Sequence, residues 1–197
     1  MATTKSSRLF HKNTVQDKIH IHPKFLHSNI DEAITAQIQL KVEGICNRDG
    51  YVKKKSVSLL KRSIGMASSN DTNGYITFDV MYTVDICYPM TNEIYPCVIR
   101  KTNKMGFLVE PLEKPNPLVI VVAKQHVENK SLLNLLQEGD YVSIKIIGSR
   151  FDLGDDKISV VATITGKLNR TDLPVFLLQN ENIEQPTIKR KPVSKTI

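Results

Sequence analysis

Apolar and polar residues alternate without interruption along one segment of the chain, between Gly74 and Pro89. Side chains at successive positions of a strand point to opposite faces of the sheet, so this pattern predicts one long strand with a continuously buried face. About twelve residues at roughly 3.3 Å each extend about 40 Å, which is the scale of two small domains laid end to end. The residues predicted to face inward are Ile76, Phe78, Val80, Tyr82, Val84 and Ile86.

The residues before this strand predict an α+β domain spanning 15–88, an antiparallel sheet with one helix, preceded by a flexible leader over 1–14. The chain from Val15 alternates up to Pro23, which predicts a strand with Ile19 and Ile21 inward. A helix is predicted next, with Asn29 as N-cap, Glu32 in a capping-box position and Gly44 as its stop. Its apolar stripe, spaced four residues apart, is Ile30, Ile34, Ile38 and Val42.

Between the helix and the long strand, the sequence predicts one more strand and a loop. The strand lies within 51–64 and carries Val57 and Leu59. The polar segment from Gly65 to Gly74 predicts a loop, and its Asn73–Gly74 pair is typical of a hairpin turn that leads into the long strand.

The second half of the chain predicts an all-β five-stranded barrel over 89–167, of the OB type, because five strand-like segments occur with no long amphipathic helix. Pro96 within the first of them predicts a sheet edge or a bulge. Four leucines between the third and fourth segments suit a short helix or a turn; they are Leu132, Leu133, Leu135 and Leu136. The five segments are Asn92–Thr102, Gly106–Glu110, Leu118–Ala123, Tyr141–Phe151 and Lys157–Thr165.

The C-terminal residues 168–197 contain three prolines and many polar residues, which predicts an extended or disordered tail. Within it, the apolar residues 175–178 could pin the tail locally. No apolar run reaches membrane-spanning length, and the polar N-terminus has no secretory hydrophobic stretch.

Charge changes this picture only locally. The formal net charge of +7 divides into +4 over 1–88, +1 over 89–167 and +2 over 168–197. The predicted barrel is nearly neutral, so any nucleic-acid contact there must come from a local basic patch.

No catalytic constellation is recognisable: the chain lacks a phosphate-binding loop and a nucleophile with a local signature, and we expect no enzymatic activity and no cofactor. Three cysteines make an odd number, which argues against a disulfide framework and favours a reducing compartment. His20 and His22, or the acidic group near Gly154, could hold a metal. An exposed strand face and a solvated turn explain them more simply, so no metal is expected.

Several motifs together resemble one family, the stalk subunit of multisubunit DNA-dependent RNA polymerases, which is called subunit seven in eukaryotes and has an E-type counterpart in archaea. The resemblance covers roughly 18–165. Its motifs, in family order, are I-H-P-K-F from Ile21, V-E-G-I-C from Val42, G-Y-V from Gly50, N-G-Y-I-T-F-D-V-M-Y from Asn73, Y-P at Tyr88 and N-K-M-G-F-L-V-E from Asn103.

The resemblance implies an elongated subunit of two domains. An N-terminal "tip" domain would dock on the polymerase core near the clamp of the largest subunit. An S-one-type OB barrel would project outward, pair with a small helical stalk partner (subunit four, or its archaeal F-type counterpart) and lie near the exit path of nascent single-stranded RNA.

Two groups of residues are candidate contacts. For docking on the polymerase core they are Lys53, Lys54, Lys55, Lys61 and Arg62, although an ordinary solvated strand and loop would also explain them. For RNA they are Arg100, Lys101, Lys104, Phe107, Lys124 and His126. OB folds bind single strands through backbone electrostatics and base stacking on aromatic rings; Phe107 could stack in this way or could fill the barrel.

These observations predict a non-catalytic polymerase stalk subunit that offers a weak, sequence-tolerant RNA surface. A free-standing S-one-type RNA-binding protein in translation or RNA decay is the alternative, and the N-terminal half argues against it. The abundance of Lys, Asn and Ile suits a large DNA virus as well as a eukaryote, which leaves nucleus, host cytoplasm and virion open as intracellular locations.

Overall fold

The computed structural model of the protein describes residues 8–26, 29–67, 74–127 and 135–169. It confirms the predicted fold class: an antiparallel sheet with one α-helix is followed by a closed barrel of five strands. The N-terminal sheet contains β1 (His11–Ile21), β2 (Cys46–Asn47), β3 (Gly50–Val52), β4 (Ser58–Arg62), β5 (Met66–Ala67) and β6 (Ile76–Cys87). The barrel contains β7 (Ile94–Thr102), β8 (Gly106–Pro111), β9 (Leu118–Ala123), β10 (Tyr141–Arg150) and β11 (Ile158–Lys167).

The long strand β6 is the backbone of the N-terminal sheet, as its alternation predicts. Its inward side chains from Phe78 to Ile86 are buried, and β1 pairs with it along its whole length, from His11 opposite Ile86 to Ile21 opposite Ile76. β3, β4 and β5 pair with the other edge of β6. The end of the sheet at Ile76 is called the distal end. The end at Cys87, from which the chain continues into the barrel, is called the barrel end.

The start of the chain differs from the prediction. β1 begins at His11 rather than at Val15, and Leu9 is buried in the barrel core, where its N–H donates to the Glu113 carboxylate at 2.9 Å. Residues 8–14 are therefore not a leader. The side chains in the first half of β1 are polar and exposed, so this part of the strand lacks the alternation of apolar and polar residues by which a strand is predicted from sequence. It forms because β6 offers a partner for every residue.

The helix α1 (Ile30–Val42) packs on one face of the sheet through Ile34, Ile38 and Val42. Its bounds agree with the prediction, and Gly44 after its end has a positive φ of 78°, as expected of a helix stop. The predicted capping bond is absent, because the Asn29 side chain makes no hydrogen bond to the helix N-terminus. The Asn73 half of the predicted hairpin turn lies outside the described residues.

The barrel closes in the order β10-β11-β9-β8-β7, and each observed strand lies within three residues of its predicted bounds. The predicted edge or bulge at Pro96 is wrong. β7 pairs on both sides, and its register shift falls between Ile99 and Lys101. Pro96 is tolerated because it lies beyond the last β7–β8 pair, where its carbonyl accepts from the N–H of Leu112 at 3.1 Å.

The connection before β10 holds a short 3₁₀ turn, Lys124–His126, after β9. Of the four leucines for which a short helix or a turn is predicted, Leu132 and Leu133 lie outside the described residues, and Leu135 lies in a turn. Leu136, which follows, is buried in the barrel core. Among the described residues no helix is long and apolar enough to cross a membrane.

Candidate nucleic-acid interface

A groove of about 670 Å³ lies on the outer surface of the barrel, over the strands β8 and β9 that bind ligands in OB folds. We call it the barrel groove. The β7–β8 turn forms one wall, where the N–H of Asn103 donates to the carbonyl of Gly106 at 2.8 Å. Its lining residues are Lys101, Asn103, Met105, Gly106, Phe107, Leu108, Val121, Ala123, Lys124 and Gln125.

Three of the six predicted RNA contacts, Lys101, Phe107 and Lys124, line this groove. Lys104 is exposed in the turn next to it. His126 is exposed at the end of the 3₁₀ turn, and its carbonyl accepts from the Thr163 hydroxyl. The structure therefore brings the lysines together and leaves the histidine at the margin.

Arg100 lies on the neighbouring strand and forms an ion pair with Glu110. Because the carboxylate compensates its charge, Arg100 adds less positive potential to the groove than the lysines do. This ion pair could not be predicted from the sequence, because it depends on the register of β7 against β8, in which Glu110 lies opposite Val98.

Phe107 belongs to the barrel core: only 1% of its surface is exposed. Its ring therefore fills the barrel core in this structure and is not exposed for stacking on a base. Phe107 and Val109 point inward while Leu108 points outward, which the period-two pattern of β8 could already have indicated. The Lys124 ammonium lies 5.7 Å from the centroid of the Phe107 ring.

The groove instead presents aliphatic and thioether side chains that sequence reasoning missed. Met105 is 87% exposed at the turn, and Leu108 and Val121 lie opposite each other on β8 and β9. A surface of this kind offers apolar contact for a base next to cations for the backbone, without a flat ring that would favour particular bases.

The predicted core-docking cations do not form one patch. Lys53 donates its backbone N–H to the carbonyl of Asp85, so Lys53, Lys54 and Lys55 lie at the barrel end of the sheet. Lys61 and Arg62 pair with the middle of β6, and Arg62 forms an ion pair with Asp31 of α1. Strand pairing therefore divides these five residues, which are close in sequence, into two groups at different places on the sheet.

The Lys53–Ser56 turn has a local structural cause. The Glu43 carboxylate at the end of α1 accepts hydrogen bonds from the backbone N–H groups of Lys55 at 2.8 Å and Ser56 at 3.1 Å. Lys53 extends toward the ring of Phe10, with its ammonium 5.1 Å from the ring centroid. These contacts within the chain account for the positions of Lys53 and Lys55, so no binding partner is needed to explain them.

The segment from β4 to β5, which runs from the middle of the N-terminal sheet to its distal end, exposes large apolar side chains that the sequence patterns did not single out. Ile64 is 85% exposed, Met66 69% and Leu60 52%, and all three follow the β4–β5 edge. We call these three residues the distal anchors. Their signal in the sequence is weak, since the segment alternates with Lys61, Arg62 and Ser63.

The thiols are buried and poorly suited to nucleophilic chemistry. Burial, together with Asp155 and Asp156, raises the pKa of Cys46 to about 11. Burial also raises the pKa of Cys87 and of Cys97 well above that of an ordinary thiol. A protonated, enclosed thiol neither attacks a substrate nor binds a metal readily.

Metal-ligand geometry is likewise absent from the described part of the chain, in which no three His, Cys, Asp or Glu side chains converge. The ring of His20 is hydrogen-bonded to the Thr77 hydroxyl at 2.9 Å, and the ring of His22 accepts a hydrogen bond from the backbone N–H of Lys24 at 3.2 Å.

Comparison with known proteins gives the family context. No protein-family model matches the chain. A protein of Acanthamoeba polyphaga mimivirus, named as a putative DNA-directed RNA polymerase subunit, is 23% identical over 168 residues, which cover 79% of this chain and 82% of the relative. DNA-directed RNA polymerase II subunit 7 of Arabidopsis thaliana is 27% identical, over 73% of this chain and 86% of the relative. Subunit rpb7 of RNA polymerase II from Dictyostelium discoideum is also 27% identical, over 73% and 89% of the two chains.

These matches cover 73–79% of this chain, so they include at least part of the N-terminal half as well as part of the barrel. They confirm that the chain resembles subunit 7 of the DNA-directed RNA polymerases, the stalk-subunit family.

Proposed function

We propose that this protein is a non-catalytic stalk subunit of a DNA-directed RNA polymerase, which docks on the core by its N-terminal domain and contacts nascent single-stranded RNA through its barrel. The observation that carries the proposal is the combination of a sheet-and-helix domain and an OB-type barrel with matches to polymerase subunits that cover most of both chains. A free-standing RNA-binding barrel would have no use for the first domain.

The division into two domains, at about 15–88 and 89–167, is part of this proposal. Two separate hydrophobic clusters support it, one between α1 and the sheet and one inside the barrel. Leu9, Cys46, Tyr51 and Cys87 of the first half pack into the barrel cluster, so the boundary is a packed junction rather than a flexible linker.

Docking on the polymerase core is assigned to the distal end of the N-terminal domain. A partner can bury the distal anchors, and Lys61 beside them can supply a charged rim. This arrangement is typical of interfaces in which a few buried residues supply most of the binding energy. The partner implied by the family is the largest subunit near its clamp. Lys53, Lys54 and Lys55 face a different end of the domain and would contact a different element, such as the small helical stalk partner.

RNA contact is assigned to the barrel groove. Lys101 and Lys124 line the groove and Lys104 is exposed in the adjoining turn, so these lysines can contact phosphates while Met105 and Leu108 contact bases. Contacts of this kind depend on charge and apolar surface rather than on base edges, so binding would be weak and tolerant of sequence.

The names of the relatives imply an intracellular protein, in the nucleus of a eukaryote or in the host cytoplasm and virion of a virus. The decisive experiment is affinity purification of the full chain from its native source. We expect the two largest polymerase subunits in stoichiometric amounts, and transcription activity that belongs to the complex. Recovery with ribosomes or nucleases, and without polymerase subunits at gentle salt, would favour the free-standing RNA-binding protein instead.

A further inference from the structure

A line of apolar side chains continues from the barrel groove across the outer surface of the barrel. Leu108 of β8 lies opposite Val121 of β9, and Val121 lies opposite Val161 of β11. Ile147 of β10 is the extra residue where the register of β10 against β11 shifts, next to the position paired with Val161. Between 37% and 47% of the surface of each residue is exposed. We call these four residues the apolar arc. Exposed apolar side chains that adjoin one another are typical of a binding surface.

The 3₁₀ turn after β9 carries two basic residues across the same strands. It begins beside the β7–β8 turn, where the N–H of Lys124 donates to the carbonyl of Met105 at 3.1 Å. It ends over β11, where the carbonyl of His126 accepts from the hydroxyl of Thr163. By the alternation of β11, Thr163 points outward like Val161, yet it is only 5% exposed. The turn therefore lies on the barrel surface over β11.

Lys145 extends this basic line onto β10. It lies opposite Thr163, and the alternation of β10 places its side chain on the outer face of the barrel. At the other end of the line, Lys104 is exposed in the β7–β8 turn. We call Lys104, Lys124, His126 and Lys145 the basic arc. None of its three lysines forms an ion pair with another described residue, so their charges are available to an anionic ligand.

The two arcs run side by side around the barrel. Val161 and Thr163 are two residues apart on β11, which separates the apolar arc from the basic arc by about 7 Å. From β8 to β10 the arcs cross three strand spacings, about 14 Å. A single strand of nucleic acid has the same arrangement, because its charged phosphates form one line and its bases form another beside it.

We propose that single-stranded RNA crosses the barrel strands from the barrel groove to β10, with its phosphates on the basic arc and its bases on the apolar arc. The proposal rests on the RNA contact assigned to the barrel groove and extends it over β11 and β10. The track holds about four nucleotides, the lower end of the range for an OB fold. It assigns RNA contact to Lys145, Val161 and Ile147, which the sequence patterns did not single out.

Substitution of one lysine in the full chain tests the basic arc. Lys145→Gln should lower the slope of log affinity against log salt by about 0.7, because one phosphate is no longer neutralised. The matched control, Lys157→Gln, removes the same charge from the same barrel. Lys157 is exposed but lies six positions before Thr163, about 20 Å along the chain, so its substitution should leave the slope unchanged. Fluorescence anisotropy with a labelled single-stranded RNA of mixed sequence gives both slopes.

The apolar arc is tested by Val161→Ser. This substitution should weaken binding about threefold at constant slope, because it removes apolar contact with a base and no charge. Val119→Ser is its control, since Val119 is also 37% exposed on an outer strand face but lies outside the apolar arc. Circular dichroism should show an unchanged fold for all four variants.

The outcomes separate this proposal from the RNA contact on which it rests. Equal slopes for Lys145→Gln and Lys157→Gln, in a chain whose RNA binding still depends on Lys101 and Lys124, would overturn the track and leave the barrel groove as the RNA site. Absence of RNA binding by the unaltered chain would overturn both. If Lys145→Gln instead reduces retention of another polymerase subunit and leaves the RNA slope unchanged, the surface binds a protein and the track is wrong.

Discussion

The backbone of Cys46 in the N-terminal sheet is hydrogen-bonded to the backbone of Asp155 in the β10–β11 hairpin of the barrel. The N–H of Cys46 donates to the carbonyl of Asp155 at 2.7 Å, and the carbonyl of Cys46 accepts from the N–H of Gly154 at 2.9 Å. The ring of Phe151, at the start of the hairpin, meets Tyr88 edge-on with the centroids 6.0 Å apart. The loop that the sequence predicts as a solvated turn therefore joins the barrel to the sheet.

Gly154→Ala should destabilise the protein by about 1–2 kcal/mol, because Gly154 has a φ of 91° that an L-residue adopts only with strain. An added Cβ would meet no atom within 4 Å, so the effect would be conformational rather than steric. The midpoint of urea unfolding measures it.

Gly148→Ala in β10 is the matched control, since its Cβ would also meet nothing within 4 Å and its backbone lies outside the positive-φ range. We expect little change or a small stabilisation there. Equal destabilisation by both substitutions would contradict the assignment of strain to Gly154.

Replacing Lys101, Lys104 and Lys124 together by Gln should weaken single-stranded RNA binding and flatten its salt dependence. The log–log slope should fall by about 0.7 for each phosphate that the variant no longer neutralises. Fluorescence anisotropy with a labelled oligonucleotide at several salt concentrations gives this slope. Arg100→Gln serves as control and should change it less, because Glu110 already compensates that charge. If the triple variant keeps the original slope with an intact fold, the RNA surface lies elsewhere.

Phe107→Ala should act on stability, with a loss of about 3–5 kcal/mol, as expected for a large side chain removed from a packed core. Leu108→Ala, the next residue but on the outer face, should cost much less, because the side chain is already 37% exposed. Thermal and denaturant unfolding of the two variants separate these effects. Normal stability of the Phe107 variant combined with abolished RNA binding would restore the stacking role.

Ile64→Asp combined with Met66→Asp should strongly reduce retention of the chain on the polymerase core, because a charge would have to be buried where an apolar anchor is expected. Leu40→Asp is the control, since Leu40 is 81% exposed and lies on α1 rather than on the segment from β4 to β5. Quantitative co-purification compares the variants. Retention that is unchanged, or that falls equally in the control, would argue against docking through the distal anchors.

The native thiols should be unreactive toward a disulfide reagent at pH 8 and should react once the protein is unfolded in guanidinium chloride. Burial raises their pKa in the folded protein, to about 11 for Cys46, whereas the pKa of a thiol in an unfolded chain is about 8.5. The folded state therefore holds these protons more tightly. The resulting stabilisation is complete below about pH 8.5 and is lost as the pH rises toward the folded-state pKa. Rapid labelling of the native protein, or stability that increases above pH 9, would contradict this description.

The predicted elements agree best with the observed ones where the local spacing of apolar residues alone determines the element. The alternation from Ile76 to Ile86 predicts β6, and the four-residue spacing from Ile30 to Val42 predicts α1. The five barrel strands follow from the same local periodicity. Such patterns can be recognised in a sequence because one face of the element is buried along its whole length, so apolar residues recur at the period of that element.

Local sequence patterns are thus enough to establish the helix, the long strand and the barrel strands, the two-part architecture and, through ordered motifs, the resemblance to a polymerase stalk subunit. The short strands β2, β3 and β5 are not predicted, because two or three residues are too few to show a period. Which side chains meet is settled only by the folded chain. Folding separates Lys53 from Lys61, pairs Arg100 with Glu110, and places Leu9 in the barrel. These outcomes depend on cross-strand register and on chain segments distant in sequence, whose contacts no local periodicity encodes.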